Sequence, residues 1–423
     1  MTTSTTWSRA DESVDCCIAG CGPAGAMLGL LLARAGIRVL VLEKHGDFLR
    51  DFRGDTIHPS TLEILDDIGL ADRFLALPHT EVEALTASLP NGQEVRVDFR
   101  RLGSRYPFIA FVPQWDFLDF ITGEAARYPN FTLDRNAEVV DLLEDDSGRV
   151  RGVRVRTSAG ERTVSALLTV GADGRDSRTR AAARLPLIGT SPPMDVLWFR
   201  LSRRATDRDK ALLHVAAGHF AVAFPRTDYW QIAYVIPKGA DAQVRALGLA
   251  AFQRSVAELL PQYADRVAEL DDWSSVKLLR VRSDRLRQWY RSGYLAIGDA
   301  AHAMSPVGGV GINVAIQDAV VAANLLWQPL RQRRVSTYTL RRVQRRRELP
   351  VRLIQGVQAF IQDRVLEPAL TAGSTVKLPL AVQLLTQLPV LRVLPARLIA
   401  YGLTRPRVRT PAPMRTRSTI AAA

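Results

Sequence analysis

A glycine-bearing turn between an apolar strand and a small-residue helix constrains this chain more than any other feature. It reads Asp15-Cys16-Cys17-Ile18-Ala19-Gly20-Cys21-Gly22-Pro23-Ala24-Gly25. Alone, a GxGxxG turn is a weak signal; here its context is complete. Apolar residues 14–18 precede it, and residues 24–35 read as a helix, with Gly29 where helix and sheet must approach. A second apolar run, Val39-Leu40-Val41-Leu42, ends on Glu43, roughly 20 residues past the loop. Such a unit specifies a parallel βαβ layer with a ligand at the turn.

The residue types follow from that chemistry. Gly20 permits the tight bend, and Gly22 lets backbone approach a pyrophosphate. Gly25 removes a side chain that would hold helix and strand apart. Pro23 and Ala24 open a helix whose free N–H groups and dipole suit phosphates. Glu43 accepts hydrogen bonds from an adenosine ribose, which disfavours a 2′-phosphate there. FAD and NAD share this half-site, so the turn does not choose between them.

A chain of 423 residues exceeds the usual single core, so two lobes are expected. No apolar run reaches the roughly 18 residues that a membrane span needs. The Thr/Ser-rich start lacks a hydrophobic signal core, so residues 1–12 read as a disordered lead and the protein as cytoplasmic. Cys16, Cys17 and Cys21 lie together on the first strand and turn without other ligands nearby, which points to packing, not metal, in a reducing compartment. The net charge of +13 gathers in residues 331–352 and 405–417. No nucleic-acid motif accompanies it, so a solvated arginine face is expected and no nucleic-acid partner.

Along the chain, residues 59–69 and 113–127 carry helical periodicity, and residues 80–109 alternate around Pro90-Asn91-Gly92 as a hairpin. Residues 137–171 form a β-meander that ends at Gly171-Ala172-Asp173-Gly174. Strand-like runs at 196–201, 220–225 and 230–237, with a helix near 250–260, suggest a second lobe on an antiparallel sheet. The expected division is an FAD-type lobe from 13–79, 110–184 and 281–345, and a substrate lobe from 80–109 and 185–280. A C-terminal helical segment (346–404) and a disordered tail (405–423) complete it.

A second strand-to-helix turn narrows the chemistry. Tyr294-Leu295-Ala296-Ile297-Gly298-Asp299 places Asp299 at a strand's carboxyl end, where it can accept from polyol hydroxyls such as a ribityl chain. Pro306-Val307-Gly308-Gly309-Val310-Gly311-Ile312-Asn313 then opens a helix with bare backbone and a positive dipole end, suited to the negative charge of a reduced flavin ring.

Gly20 to Gly25, Asp173-Gly174 and Gly298-Asp299 together resemble, in order, the three motifs of class A flavoprotein monooxygenases, the aromatic hydroxylases related to p-hydroxybenzoate hydroxylase. The resemblance covers residues 14–345. It implies an α/β fold: an FAD-binding Rossmann lobe of the glutathione-reductase type, an inserted antiparallel-sheet substrate lobe and a helical C-terminus. By the same likeness Glu43 holds the adenosine ribose and Asp299 the ribityl chain. Gly311, Ile312 and Asn313 offer backbone to the isoalloxazine, and Asp173 serves both the pyrophosphate and a nicotinamide nucleotide. Arg53 and Gln114 lie where the family has flavin-side residues, and Lys44, Val139 and Pro306 complete the expected cofactor shell.

The implied reaction is NADPH- or NADH-driven reduction of FAD, then transfer of one oxygen atom from a C4a-hydroperoxide to an aromatic or polycyclic hydrophobic substrate. An alternative is an FAD-dependent reductase of isoprenoid double bonds resembling geranylgeranyl reductase. Flavin-dependent halogenases carry a Trp-x-Trp-x-Ile-Pro segment, where this chain has Ile232-Ala233-Tyr234-Val235-Ile236-Pro237 without either tryptophan. No base is assigned; His302, beside Asp299, is the candidate to watch. Residues 376–401 are apolar and dotted with Lys377, Arg392 and Arg397. They are read as helices over the FAD lobe or against a second copy, or as a basic-edged surface meeting a bilayer.

Overall fold

The computed structural model describes residues 13–49, 55–88, 94–207, 212–216, 219–371 and 393–412. The expected lead (1–12), Arg53, the turn Pro90-Asn91-Gly92 and residues 413–423 lie outside them, as do residues 372–392.

An eight-stranded sheet organises the first lobe. Strand β1 (Ser13–Ala19) runs at its centre and leads through Gly20–Gly22 into helix α1 (Pro23–Arg34). Strand β2 (Val39–Glu43) then returns parallel beside β1, with Ile18 opposite Val41. On the other flank β1 pairs in parallel with Gly160–Gly171, which pairs in parallel with Tyr294–Ala296. The chain therefore leaves β1 in both directions, and the switch point falls at the carboxyl end of β1. Both faces of the sheet are covered, which is why β1 and β2 read as continuous apolar runs. Gly29 is required where α1 crosses: a Cβ there would stand 2.9 Å from the Phe131 ring and 3.1 Å from Val41.

The second lobe rests on a seven-stranded sheet ordered Lys277–Leu279, Met194–Ser202, Tyr229–Pro237, His219–Pro225, Leu212–Ala216, Ala84–Ser88 and Glu94–Asp98. It departs from the expected antiparallel sheet at one pairing, since Leu212–Ala216 and Ala84–Ser88 run parallel. Sequence-distant segments meet there, so no tight hairpin dictates direction. The helix Leu249–Leu259 closes this lobe's own core around Phe199, Trp230 and Phe252.

Three sequence expectations need correction. The boundary drawn at 345/346 falls inside one helix, Thr337–Ile361, which absorbs Pro350 without ending. Residues 405–412 are placed, not disordered: Arg405 pairs with Glu63, Arg407 Nε reaches Asp67 at 2.8 Å, and Arg34 Nη1 donates to the Thr410 carbonyl at 3.1 Å. Composition suggested little to bury, but this segment is held by ion pairs and backbone bonds instead. Finally, the stretch Val307–Arg331, whose α-helix is Gly311–Arg331, is long and apolar enough to cross a membrane, yet 78% of its most apolar window is buried. It contains buried Asn313, Gln317 and Asp318, and it forms the central helix of the core.

Candidate active site

Four neighbouring parallel strands end on one rim, and the loops leaving them line a single cavity of about 1580 Å³. Gly20, Gly22, Pro23 and Ala24 come from the β1 turn, Glu43 and Lys44 from the end of β2, and Asp173, Gly174 and Arg175 from the third strand. Asp299 comes from the fourth. Val139 and Gln114 line the same space. Thus the sequence-distant candidates converge, as open α/β sheets require of ligand-binding loops.

The glycines divide into two kinds. A Cβ on Gly25 would stand 2.0 Å from the Gly20 carbonyl oxygen, and one on Gly20, whose φ is +95°, 2.5 Å from the Ala172 oxygen. Those two are bare so that turn, helix and strand can touch. Gly22 has nothing within 4 Å of its Cβ position, nor has Gly174. Bare backbone with open space before it is what close approach by a pyrophosphate needs, and the residues present fit a dinucleotide.

The carboxylates are held in place. Glu43 accepts from the Cys21 amide at 3.0 Å and from the His45 amide at 3.1 Å, tying the end of β2 to the turn. Asp173 spends most of its acceptor capacity within its own loop, on Ser177 Oγ (2.6 Å), Thr179 N (2.9 Å) and Thr179 Oγ1 (2.8 Å). Asp299 accepts from Arg175 Nε at 3.1 Å, and both residues line the cavity. Sequence reasoning named the loop but missed Arg175 as its charged member.

Opposite stands the segment before the central helix. Pro306, Gly311 and Ile312 line the cavity; Asn313 does not. The Asn313 side chain is structural: Oδ1 accepts from the His58 amide at 2.9 Å and Thr61 Oγ1 at 2.7 Å, while Nδ2 donates to the Thr56 carbonyl. Gly308 and Gly309 both take positive φ (+79° and +61°), a conformation that side chains disfavour. Thr56 Oγ1 donates to the Gly309 carbonyl at 2.7 Å and ties the loop to the Thr56–Ile57 strand.

His302 is not part of the cavity. It is 1% exposed and its Nε2 lies 2.5 Å from Asp318 Oδ2, while Arg347 Nε holds Asp318 Oδ1 at 2.7 Å. Proximity to Asp299 in sequence was misleading, because the intervening turn sends the two side chains to opposite sides of the rim. Burial pushes the Asp318 carboxyl up, but His302 and Arg347 outweigh it and hold it below the ordinary carboxylate range.

Beyond the loops, the cavity runs against the second sheet. Trp198, Phe224 and Phe111 form a row there: Trp198 stacks on Phe224 (centroids 6.2 Å apart, 24° between planes), and Phe224 meets Phe111 at 5.3 Å. The sequence pattern marked these strands without revealing which face would meet a ligand.

With this geometry in view, residues 13–355 match the family described as FAD binding domain. The chain belongs to the FAD binding domain family. This flavoprotein is 33% identical over 399 residues to 6-methylpretetramide 4-monooxygenase of Streptomyces rimosus, spanning 94% of each chain. It is 30% identical to 12-dehydrotetracycline 5-monooxygenase/anhydrotetracycline 6-monooxygenase of Streptomyces rimosus subsp. rimosus, over 74% of this chain and 62% of that one. Among solved structures it resembles a probable FAD-dependent monooxygenase from Pseudomonas aeruginosa, with TM-score 0.72 and 20% identity over 85% of this chain and 97% of that one, which shows the fold. Its cofactor is FAD, and it is an oxidoreductase of the flavin-dependent monooxygenase kind.

Proposed function

We propose that this flavoprotein hydroxylates a planar, polycyclic, largely apolar small molecule at the expense of NADPH or NADH and O₂. One observation carries the reading. The glycine cradle and the aromatic row Trp198–Phe224–Phe111 belong to one continuous cavity, so a cofactor ring and a flat substrate share a water-poor space. The tetracycline-pathway relatives carry names that denote oxygen insertion into polycyclic compounds, which favours hydroxylation over the hydrogenation of isoprenoid double bonds.

When bound, FAD supplies the two-electron chemistry that couples nicotinamide oxidation to insertion of one oxygen atom, the other leaving as water. The chain binds and orients. Gly22 and the first turn of α1 would receive the pyrophosphate, Glu43 the adenosine ribose, and Asp299 the ribityl hydroxyls. The backbone of Gly311 and Ile312, at a helix N-terminus, would face the ring. Gln114 lies at the junction of the two halves. Phe111, Phe224 and Trp198 would stack the substrate and exclude water. The three cysteines are buried thiols outside any disulfide, which accords with a cytoplasmic setting.

The test is to purify the chain, load it with FAD and follow nicotinamide oxidation with polycyclic phenols under ¹⁸O₂. One labelled oxygen in the product is expected. A product without label, or with two added hydrogens, would overturn the reading in favour of the reductase.

A specific surface also supports contact with an anionic bilayer. Exposed Leu349, Leu353, Val357 and Phe360 recur along Thr337–Ile361 between exposed Arg345, Arg346 and Arg352, and Val357 and Phe360 reach the cavity. Sedimentation with phosphatidylglycerol vesicles, lost in Leu353→Glu/Phe360→Glu, is the expected result; self-association without vesicle binding would refute it.

A further inference from the structure

The helix Thr337–Ile361 and the π-helical turn Gln362–Leu366 that continues it turn a partly polar face to the FAD lobe. Among the buried aliphatic residues of that face lie Gln344, Gln355, Gln358 and Gln362. The last three form a ladder of donors at helical spacing. Gln355 Nε2 donates to the carbonyls of Asp284 at 2.9 Å and Ala303 at 3.1 Å. Gln358 Nε2 donates to the carbonyls of Ser305 at 2.9 Å and Val307 at 2.8 Å. Gln362 Nε2 donates to Ser305 Oγ at 2.7 Å, and the same oxygen accepts from the Val307 amide at 3.3 Å.

The rungs hold different things. Asp284 and Ala303 face each other on two paired strands, and neither lines the cavity. Ser305, Pro306 and Val307 do line it, and they lead through Gly308 and Gly309 to the first turn of Gly311–Arg331. Ser305 and Pro306 belong to no strand or helix, and Val307–Gly309 is a single 3₁₀ turn, so this backbone has no ladder of its own to join. The Pro306 carbonyl accepts from the Gly309 amide at 3.0 Å. With Gln358 serving the carbonyls on either side, all three carbonyls of Ser305–Val307 have donors, and two of them are tied to the helix. Burying an amide is unfavourable unless it is bonded, and Gln358 Oε1 has no partner among the described residues. What the side chain contributes is therefore its nitrogen, shared between two loop carbonyls.

We propose that Gln358, seconded by Gln362, is a positioning residue for the flavin. Through Ser305 and Val307 it fixes the segment that carries the helix N-terminus at Gly311 to the ring. In this way it sets how much more tightly reduced flavin is held than oxidised flavin. The inference rests on the flavin hydroxylase reading, which puts the ring against the backbone of Gly311 and Ile312. Free N–H groups and the positive end of a helix dipole favour negative charge, which the reduced ring carries and the oxidised ring does not. A segment released from the helix loses that differential interaction.

The test is the midpoint potential of the FAD-loaded protein, read anaerobically by equilibration with a reference dye and without substrate. Gln358→Met keeps the length of the side chain and donates nothing. It should lower the ratio of reduced to oxidised flavin affinity about tenfold, which is a fall of about 30 mV for a two-electron couple. Gln355→Met makes the same deletion one turn earlier on the same face. It should lower Tm and leave the potential at the wild-type value, because Asp284 and Ala303 do not border the cavity. A wild-type potential in Gln358→Met overturns the proposal. So does an equal fall, or loss of FAD, in Gln355→Met, which would make the ladder a matter of general stability. Should Gln358→Met fail to fold or to keep FAD, Ser305→Ala decides, since it removes the acceptor of Gln362 without altering the helix. A smaller fall in the same direction supports the proposal, and the wild-type value overturns it. Potentials are read without turnover, so an unchanged potential leaves the labelled-oxygen test of hydroxylation standing, and a product without label leaves the positioning role standing.

Discussion

His302 Nε2 and Asp318 Oδ2 lie 2.5 Å apart in a fully buried pair that no solvent or cavity reaches. The same Asp318 oxygen accepts the Gly298 amide at 3.0 Å. Gly298 immediately precedes Asp299, so the pair braces the cavity rim from behind. Arg347, itself 0% exposed, completes the charge balance from the helix Thr337–Ile361.

Replacing Asp318 with Asn should therefore act on stability first. Removing one partner strands a buried arginine, which costs about 3–5 kcal/mol. Urea unfolding of the FAD-free protein measures it, and a loss below about 1 kcal/mol would contradict the bracing role. His302→Gln should keep substantial turnover per bound FAD; abolition of turnover with normal FAD content would return His302 to the catalytic list.

The two kinds of glycine give opposite expectations. Gly25→Ala introduces a Cβ 2.0 Å from the Gly20 oxygen, so the apoprotein should lose about 1–3 kcal/mol of stability. At Gly22 an added Cβ meets nothing within 4 Å, so Gly22→Val should cost the apoprotein far less than Gly25→Ala while FAD affinity falls at least about tenfold. Unaltered FAD binding in Gly22→Val would remove the pyrophosphate from this turn.

Acid sensitivity should come in part from His58. Its Nδ1 donates to the Ile399 carbonyl at 2.7 Å, and burial lowers its pKa to about 4. The unfolded chain takes up this proton near the ordinary value of about 6.5, while the folded chain resists until about pH 4. Stability is thus whole above about pH 6.5, falls on acidification, and stops falling below about pH 4, for a loss of about 3 kcal/mol. His58→Gln should show a smaller drop in Tm between pH 7.5 and 5.0 than the wild type; identical drops would assign the effect elsewhere.

Residues 405–412 should contribute to stability despite their composition. Glu63 is buried and accepts from the Tyr401 hydroxyl at 3.1 Å and Ser104 Oγ at 2.8 Å as well as pairing with Arg405. Arg405 is half exposed, so Arg405→Ala should cost about 1–2 kcal/mol rather than the full value of a buried pair. A truncation after Thr404 with an unchanged Tm would show that these contacts do not hold the segment.

What the linear chain determined was local and repetitive. The run from β1 through Gly25 to Glu43 could be read without a structure, because strand period, glycine placement and the closing acid are each fixed by short-range sterics. The turn at Gly298-Asp299 was legible for the same reason. What tertiary structure alone decided was which side chains face one another. Asp55 and Arg226 are 171 positions apart and meet only because the second sheet docks its hairpin tip on the FAD lobe. His302 looked like a site residue by its neighbours in sequence, yet the burial of Asp318 and Arg347 claims it for the core. An ion pair across a lobe seam leaves no periodicity in sequence, since its energy depends on desolvation and geometry that exist only after the lobes have packed.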